Sequence, residues 1–177
     1  MRQVTRVVDL PPDQHRHVVA ASAWMDVGAY LAANDELDEI APELRAFPEV
    51  LIIRAKIYNA AGRYLDAATV AQAVVRARPE EESSWVQLAS YQEREEIRGF
   101  ETALLTLQQA LKRFPCSCEL WFQAARLLAA LGEPPEAEIA FQTAIELAEK
   151  RGDETARDLK LRAFDDYHIG QLLWPEG

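Results

Sequence analysis

The sequence is poor in glycine, cysteine and positive charge, and each shortage narrows what the chain can be. Only 7 of its 177 residues are glycine, and β-branched residues never accumulate into alternating runs, so little sheet is expected and the bias is towards helix. The two cysteines, Cys116 and Cys118, are separated by one serine. A bridge that short is strained, so reduced thiols in a reducing compartment, the cytoplasm, are expected. No run approaches the roughly 20 apolar residues that span a bilayer. Asp9, Pro11 and Pro12 interrupt the amino-terminal segment before a signal-peptide core forms, so the chain reads as soluble and unexported, with no transmembrane segment. Four lysines and fifteen arginines face 29 acidic residues, for a formal net charge of -10. That balance leaves no general basic field for a polyanion, which disfavours nucleic acid and anionic membranes as partners.

What is present is 49% hydrophobic residues in a length typical of one domain, enough to bury a core. The hydrophobic residues recur with a period. Aligned on Ala33, Ala67, Ala103 and Ala137, the chain divides into units beginning near Gln14, Pro48, Glu82 and Cys118, spaced by 34, 34 and 36 residues. A glycine precedes each alanine, at Gly28, Gly62, Gly99 and Gly132. Glycine there suits a helix that ends in the left-handed region before a short turn into the next helix, so each unit reads helix, turn, helix. Upstream of the turns, Ala21, Ala55, Ala89 and Ala125 allow close helix approach, and Trp24, Tyr58, Gln92 and Leu128, three residues later, are expected to fill the gap. Downstream, Leu37, Ala71, Leu107 and Phe141, then Ile40, Val74, Ala110 and Ala144, follow at helical spacing for one buried stripe.

Two unit boundaries carry a proline followed six residues later by tryptophan, Pro79 with Trp85 and Pro115 with Trp121. Together with the period, these residues resemble the tetratricopeptide repeat. The resemblance implies an all-α, right-handed tetratricopeptide α-solenoid of four helix-turn-helix repeats (14–47, 48–81, 82–117 and 118–151) plus a carboxy-terminal capping helix and tail, 152–177. In the cap, Ala156, Leu159, Ala163 and Tyr167 share a face, and Leu172, Leu173 and Trp174 are placed to tuck back. Residues 1–13 form an amino-terminal arm whose Val4, Val7, Val8 and Leu10 are expected to pack. The first unit departs from the pattern with His17 in the aromatic slot and Arg45 in the proline slot. The excess of two residues in the third unit falls between Glu93 and Gly99, extending its first helix or its turn.

By the same resemblance, partners bind a groove lined by the first helix of each repeat, on residues turned away from the packing slots. Projection at about 100° per residue selects His15, Val18, Ser22 and Met25, then Glu49, Ile52, Lys56 and Asn59, then Ser83, Val86, Ser90 and Glu93, then Glu119, Phe122, Arg126 and Ala129. Val18, Ile52, Val86 and Phe122 recur in one slot and predict an apolar stripe flanked by Lys56 and Arg126, suited to a peptide or helix with apolar anchors and an acidic neighbour. Occlusion of the stripe by the carboxy-terminal helix or by a second protomer is the alternative. Paired lysines and asparagines, with which some members of this family clamp the terminal carboxylate of heat-shock chaperones, are absent from these slots.

No nucleophile with a base, phosphate loop or metal cluster is apparent, so no catalytic residue, cofactor or metal ligand is assigned. His15 and His17 lie far in sequence from Cys116 and Cys118, and His168 stands alone near the end. The acidic runs at Asp35 to Glu39, Glu80 to Glu82 and Glu93 to Glu96 lack calcium-loop spacing and read as solvated faces. The stretch Ala41 to Leu51 is similar to small stand-alone bacterial tetratricopeptide proteins. A likeness to bacterial kinesin light chain, which implies a filament-forming partner, has no diagnostic residue here. The sequence therefore predicts a non-catalytic scaffold or adaptor for a protein or peptide ligand, or else a self-associating structural subunit such as a homodimer.

Overall fold

The computed structural model describes residues 10–94 and 98–166. Among the described residues there are no strands. They form nine α-helices, α1 (Pro12–Asp26), α2 (Tyr30–Asp38), α3 (Pro48–Ala60), α4 (Tyr64–Ala77), α5 (Glu82–Gln92), α6 (Gly99–Arg113), α7 (Cys118–Ala130), α8 (Pro134–Arg151) and α9 (Asp153–Asp165), with a 3-10 turn at Pro42–Leu44. The chain divides into two compact units, 1–77 and 78–177. In the first, α1 packs on α2 and α3 on α4, and α3 also touches α1 and α2. In the second, α5 packs on α6, α6 on α7, α7 on α8, and α8 on α9.

The hairpins follow from local chemistry at their turns. Gly28, Gly62 and Gly132 adopt φ of 74°, 73° and 80°, which only glycine takes without a steric penalty. Each turn closes with the same pair of backbone bonds: Gly28 N to Met25 O at 3.0 Å with Ala29 N to Trp24 O at 2.9 Å, and equivalents at Gly62/Arg63 and Gly132/Glu133. This pairing satisfies carbonyls that the helix end would otherwise leave open. Prolines fill the first turn of α1, α3 and α8, where no amide donor is required. Ser117 caps α7, its Oγ accepting from Leu120 N at 3.1 Å.

The third turn differs from the glycine pattern expected of it. Arg98 takes the left-handed conformation at φ 57°, and Gly99 opens α6. Gly99 is glycine for a different reason, because a Cβ there would stand 2.6 Å from Gln92 O and 2.9 Å from Glu93 O. The extra residues of this unit lie in the α5–α6 connection, of which 95–97 fall outside the described residues.

Every alanine of the two aligned columns is buried, as are Leu37, Ala71, Leu107 and Phe141 and the four residues three positions further on. Removing a leucine side chain such as Leu37 or Leu107 from water contributes about 1.5–3 kcal/mol. The gap-filling slot is less uniform. Gln92 is buried and accepts from Thr106 Oγ1 at 2.7 Å, whereas Trp24, expected to fill its gap, is 43% exposed. The first unit's core gathers Leu10, Val18, Ala21, Ala33, Leu37, Ile40, Val50, Ile53 and Ile57. In the second unit α9 buries Ala156, Leu159 and Ala163 against Phe122, Phe141 and the alanines of α7 and α8. Tyr167, Leu172, Leu173 and Trp174, like Val4, Val7 and Val8 of the arm, lie outside the described residues.

Candidate functional site

The first helices of the second unit, α5 and α7, place a groove of about 820 Å³ between them, lined by Glu82, Ser83, Val86, Gln87, Ser90, Glu93, Glu119, Gln123 and Arg126. Residues 82, 86, 90 and 93 are one helical stripe of α5, and 119, 123 and 126 one of α7. Both stripes face each other because the opposite faces of the two helices are held in the core by Trp85, Leu88 and Ala89 on α5 and by Leu120, Ala124 and Leu127 on α7. The two tryptophans at the unit boundaries are fixed alike. Trp85 Nε1 donates to Pro79 O and Trp121 Nε1 to Pro115 O, each at 3.0 Å, so each proline-to-tryptophan spacing is closed by a hydrogen bond that sets the start of the helix.

The polar lining is cross-braced. Arg126 pairs with Glu93 across the groove, donates to Gln123 Oε1 at 3.2 Å and stands 3.8 Å from Asp166. Glu119 accepts from both terminal nitrogens of Arg162 on α9, at 2.7 and 2.9 Å, and from Gln123 Nε2 at 2.8 Å. Burial alone raises the Glu119 pKa. The hydrogen bonds from Arg162 and Gln123, with the charges of Arg162 and Arg126, outweigh it and hold the carboxyl below its ordinary value. The same bond to Glu119 raises Arg162, against the opposing effect of burial. At the amino-terminal end, Glu82 Oε1 accepts from the Ser117 hydroxyl at 2.7 Å.

Phe122 does not belong to an exposed stripe. It is 2% exposed, with its ring 6.4 Å from that of Phe141 and the Arg162 guanidinium 4.5 Å over its face. The helical projection put it on the partner face because it cannot see α9, which covers that position. Arg126 likewise is not an unengaged cationic point, since Glu93 and Asp166 hold it. Val86, Ser90, Glu93 and Arg126 do line the groove, together with Glu82, Gln87 and Gln123, which the projection omitted. Glu82 was recoverable as the residue one turn before Val86 and Gln123 as four after Glu119. Arg162 of α9 and Asp166 just beyond its end carried no such signal.

In the first unit Val18 is buried in the core, so it too leaves the predicted apolar stripe. Met25 packs half-buried on that core, Ser22 and Ile52 are half-buried, and Lys56 is exposed. Asn59 Oδ1 is buried without a hydrogen-bond partner among the described residues. His15 is exposed, and His17 Nδ1 lies 2.9 Å from Glu36 Oε2. Cys116 is exposed and Cys118 buried, with Arg151 donating to Cys118 Sγ at 3.4 Å and to Cys116 O at 3.3 Å. Among the described residues no three His, Cys, Asp or Glu side chains converge as metal ligands, and no helix is long and apolar enough to cross a membrane. His168 lies outside the described residues.

Helix hairpins with buried alanine columns, three of them turned by a left-handed glycine, define an all-α helical repeat with a tetratricopeptide-type fold. Solved structures agree on this fold. The structure titled MamA MSR-1 C2 superposes with a TM-score of 0.66 at 20% identity, covering 82% of this chain and 83% of that one. TTC0263, a thermophilic TPR protein of Thermus thermophilus, matches with a TM-score of 0.59 at 19% identity over 90% of this chain and 98% of its own. Yeast Tom70 matches with a TM-score of 0.64 at 16% identity, over 94% of this chain and 37% of Tom70. No protein-family model and no curated protein matches the sequence.

Proposed function

We propose that the chain is a non-catalytic interaction scaffold, its helices read as repeats 14–47, 48–81, 82–117 and 118–151 with a cap from 152, and that it docks a segment of a partner protein in the α5–α7 groove. The observation that carries this reading is the groove itself, about 820 Å³ with Val86 and Ser90 along one wall and a braced polar rim. Braced side chains lose little further rotamer freedom on binding, which lowers the cost of docking. Among the described residues α9 covers Phe122 and leaves the α5–α7 groove unfilled, which supports docking over occlusion by that helix. Cytoplasmic location is part of the reading, supported by the spacing of Cys116 and Cys118.

The test is selection of a displayed peptide library on the chain, followed by binding of the selected peptides to Val86→Arg and Ser90→Arg, with folding checked by circular dichroism. Loss of binding to both variants is expected. Unchanged binding to both places the docking surface elsewhere and ends this reading. A second reading, self-association, has one observation in its favour: Val19, Val27 and Leu31 in the α1–α2 hairpin are 57%, 72% and 85% exposed. Sedimentation analysis of Leu31→Lys against the wild type tests it, a monomer in both ruling it out.

A further inference from the structure

The charges of the α5–α7 groove point to what it accepts. Its lining holds three carboxylates, Glu82, Glu93 and Glu119, against one guanidinium, Arg126, a balance of three negative to one positive. Including Arg162 and Asp166 of α9 and its end adds one charge of each sign and leaves that excess unchanged. The cations are committed: Arg126 to Glu93 and Asp166, and Arg162 to both oxygens of Glu119. Glu82 differs, because it accepts from the neutral Ser117 hydroxyl, and among the described residues it forms no ion pair. The amino-terminal amides of each helix offset about half a charge near Glu82 and Glu119, and the carboxy-terminal carbonyls return about as much near Glu93. The groove as a whole therefore keeps its negative sign.

An acidic ligand has to approach this surface with no uncommitted cation among the lining residues to meet it, and taking Arg126 or Arg162 from its partner leaves a half-buried carboxylate exposed to a like charge. A basic ligand breaks nothing. It sets a cation beside Glu82, lays an apolar side chain on Val86 and finds hydroxyl and amide partners in Ser83, Ser90 and Gln87. The formal charge of -10 on the whole chain steers such a ligand inward from a distance. Resting on the docking reading above, we propose that the groove binds a cationic peptide segment, one carrying lysine or arginine around an apolar anchor, and not the acidic neighbour expected from sequence.

The experiment is fluorescence anisotropy with three labelled peptides of equal length and identical leucine spacing, differing only in whether arginine, serine or glutamate fills the remaining positions. The arginine peptide is expected to bind at least about tenfold tighter than the glutamate peptide and to weaken several-fold as salt is raised. Glu82→Lys and Ser83→Lys are expected to weaken it about tenfold, with Glu138→Lys, an equal charge change at an exposed position of α8, altering it less than about twofold. Ser83 is exposed, so its variant keeps the test valid if Glu82→Lys disturbs the Ser117 contact. Equal weakening by Glu138→Lys shows attraction to the whole acidic surface and overturns the proposal. Tighter binding of the serine or glutamate peptide, still lost in Ser83→Lys, overturns the cationic preference and leaves the docking reading standing. Binding by none of the three peptides removes both.

Discussion

The two units share one repeat signature yet fasten themselves differently. In the first, polar ties gather around α2 and the connection after it: His17 with Glu36, Arg54 with Asp38 at 3.0 Å, and Arg45 donating to Ile40 O at 2.8 Å and to Asp38 O. One of its predicted groove positions holds the orphaned Asn59 oxygen. In the second, the ties cross the groove and reach the last helix, Glu93 to Arg126 from the end of α5 to α7 and Glu119 to Arg162 from α7 to α9. The comparison teaches that the repeat signature sets the packing face, while the remaining positions are free to put their polar bonds at the back of the hairpins or across the groove.

The shared part of that comparison is tested first, because its effects are largest. Leu37 and Leu107 occupy the same repeat slot, one in each unit, and both are fully buried. Leu37→Ala and Leu107→Ala are each expected to lose about 2–5 kcal/mol in urea unfolding. A loss under about 1 kcal/mol in either means the two cores are not equivalent. The turns should then separate the units. Gly99→Ala drives a Cβ into the Gln92 and Glu93 carbonyls and is expected to cost about 2–3 kcal/mol, whereas Gly62→Ala has open space and bears only the left-handed strain of about 1–2 kcal/mol. A loss at Gly99→Ala no larger than that at Gly62→Ala would show that the Gln92 and Glu93 carbonyls yield to a Cβ, and that crowding does not select glycine at this position.

Buried polar groups sharpen the contrast further. Thr106→Val strands the buried Gln92 side chain and is expected to destabilise by about 1–2 kcal/mol, while Asn59→Leu removes an unpaired oxygen and is expected to stabilise by about 1 kcal/mol, both read by thermal or urea unfolding. A destabilised Asn59→Leu would mean that the oxygen has a partner after all.

The titrations are the finest test and belong to the second unit. Glu119 has a lowered folded pKa, so its stabilising contribution is present above the ordinary glutamate value of 4.5 and is lost as pH falls through the folded value. Glu119→Gln is expected to flatten that part of the acid unfolding profile. Tyr91, pushed up to about 12 by burial and opposed only by Arg94, works in the other direction. Its contribution is whole below the unfolded value of 10 and declines as pH rises towards 12, so Tyr91→Phe should remove pH dependence from that window. Profiles that coincide with wild type in both variants would place the unit's pH sensitivity elsewhere.

Much of the fold was legible because its signals are local. Gly28, Gly62 and Gly132 end helices through their own φ, and the alanine columns recur at helical spacing that no neighbouring element needs to reveal. The candidate site was legible in half. Val86, Ser90, Glu93 and Arg126 were selected from periodicity alone, but Val18 and Phe122 were placed on an open face that the core and α9 in fact bury. A helical wheel ranks directions around one axis and contains nothing about which other helix arrives on each side. The sequence by itself determined the class of fold, the chemistry of three of the four hairpin turns and the buried stripe, since these depend on residues within one or two turns of each other. Only the tertiary structure decided the character of the groove, because Arg162 and Asp166 reach Glu119 and Arg126 across about 40 residues of chain and change a supposed cationic, apolar surface into a braced and acidic one.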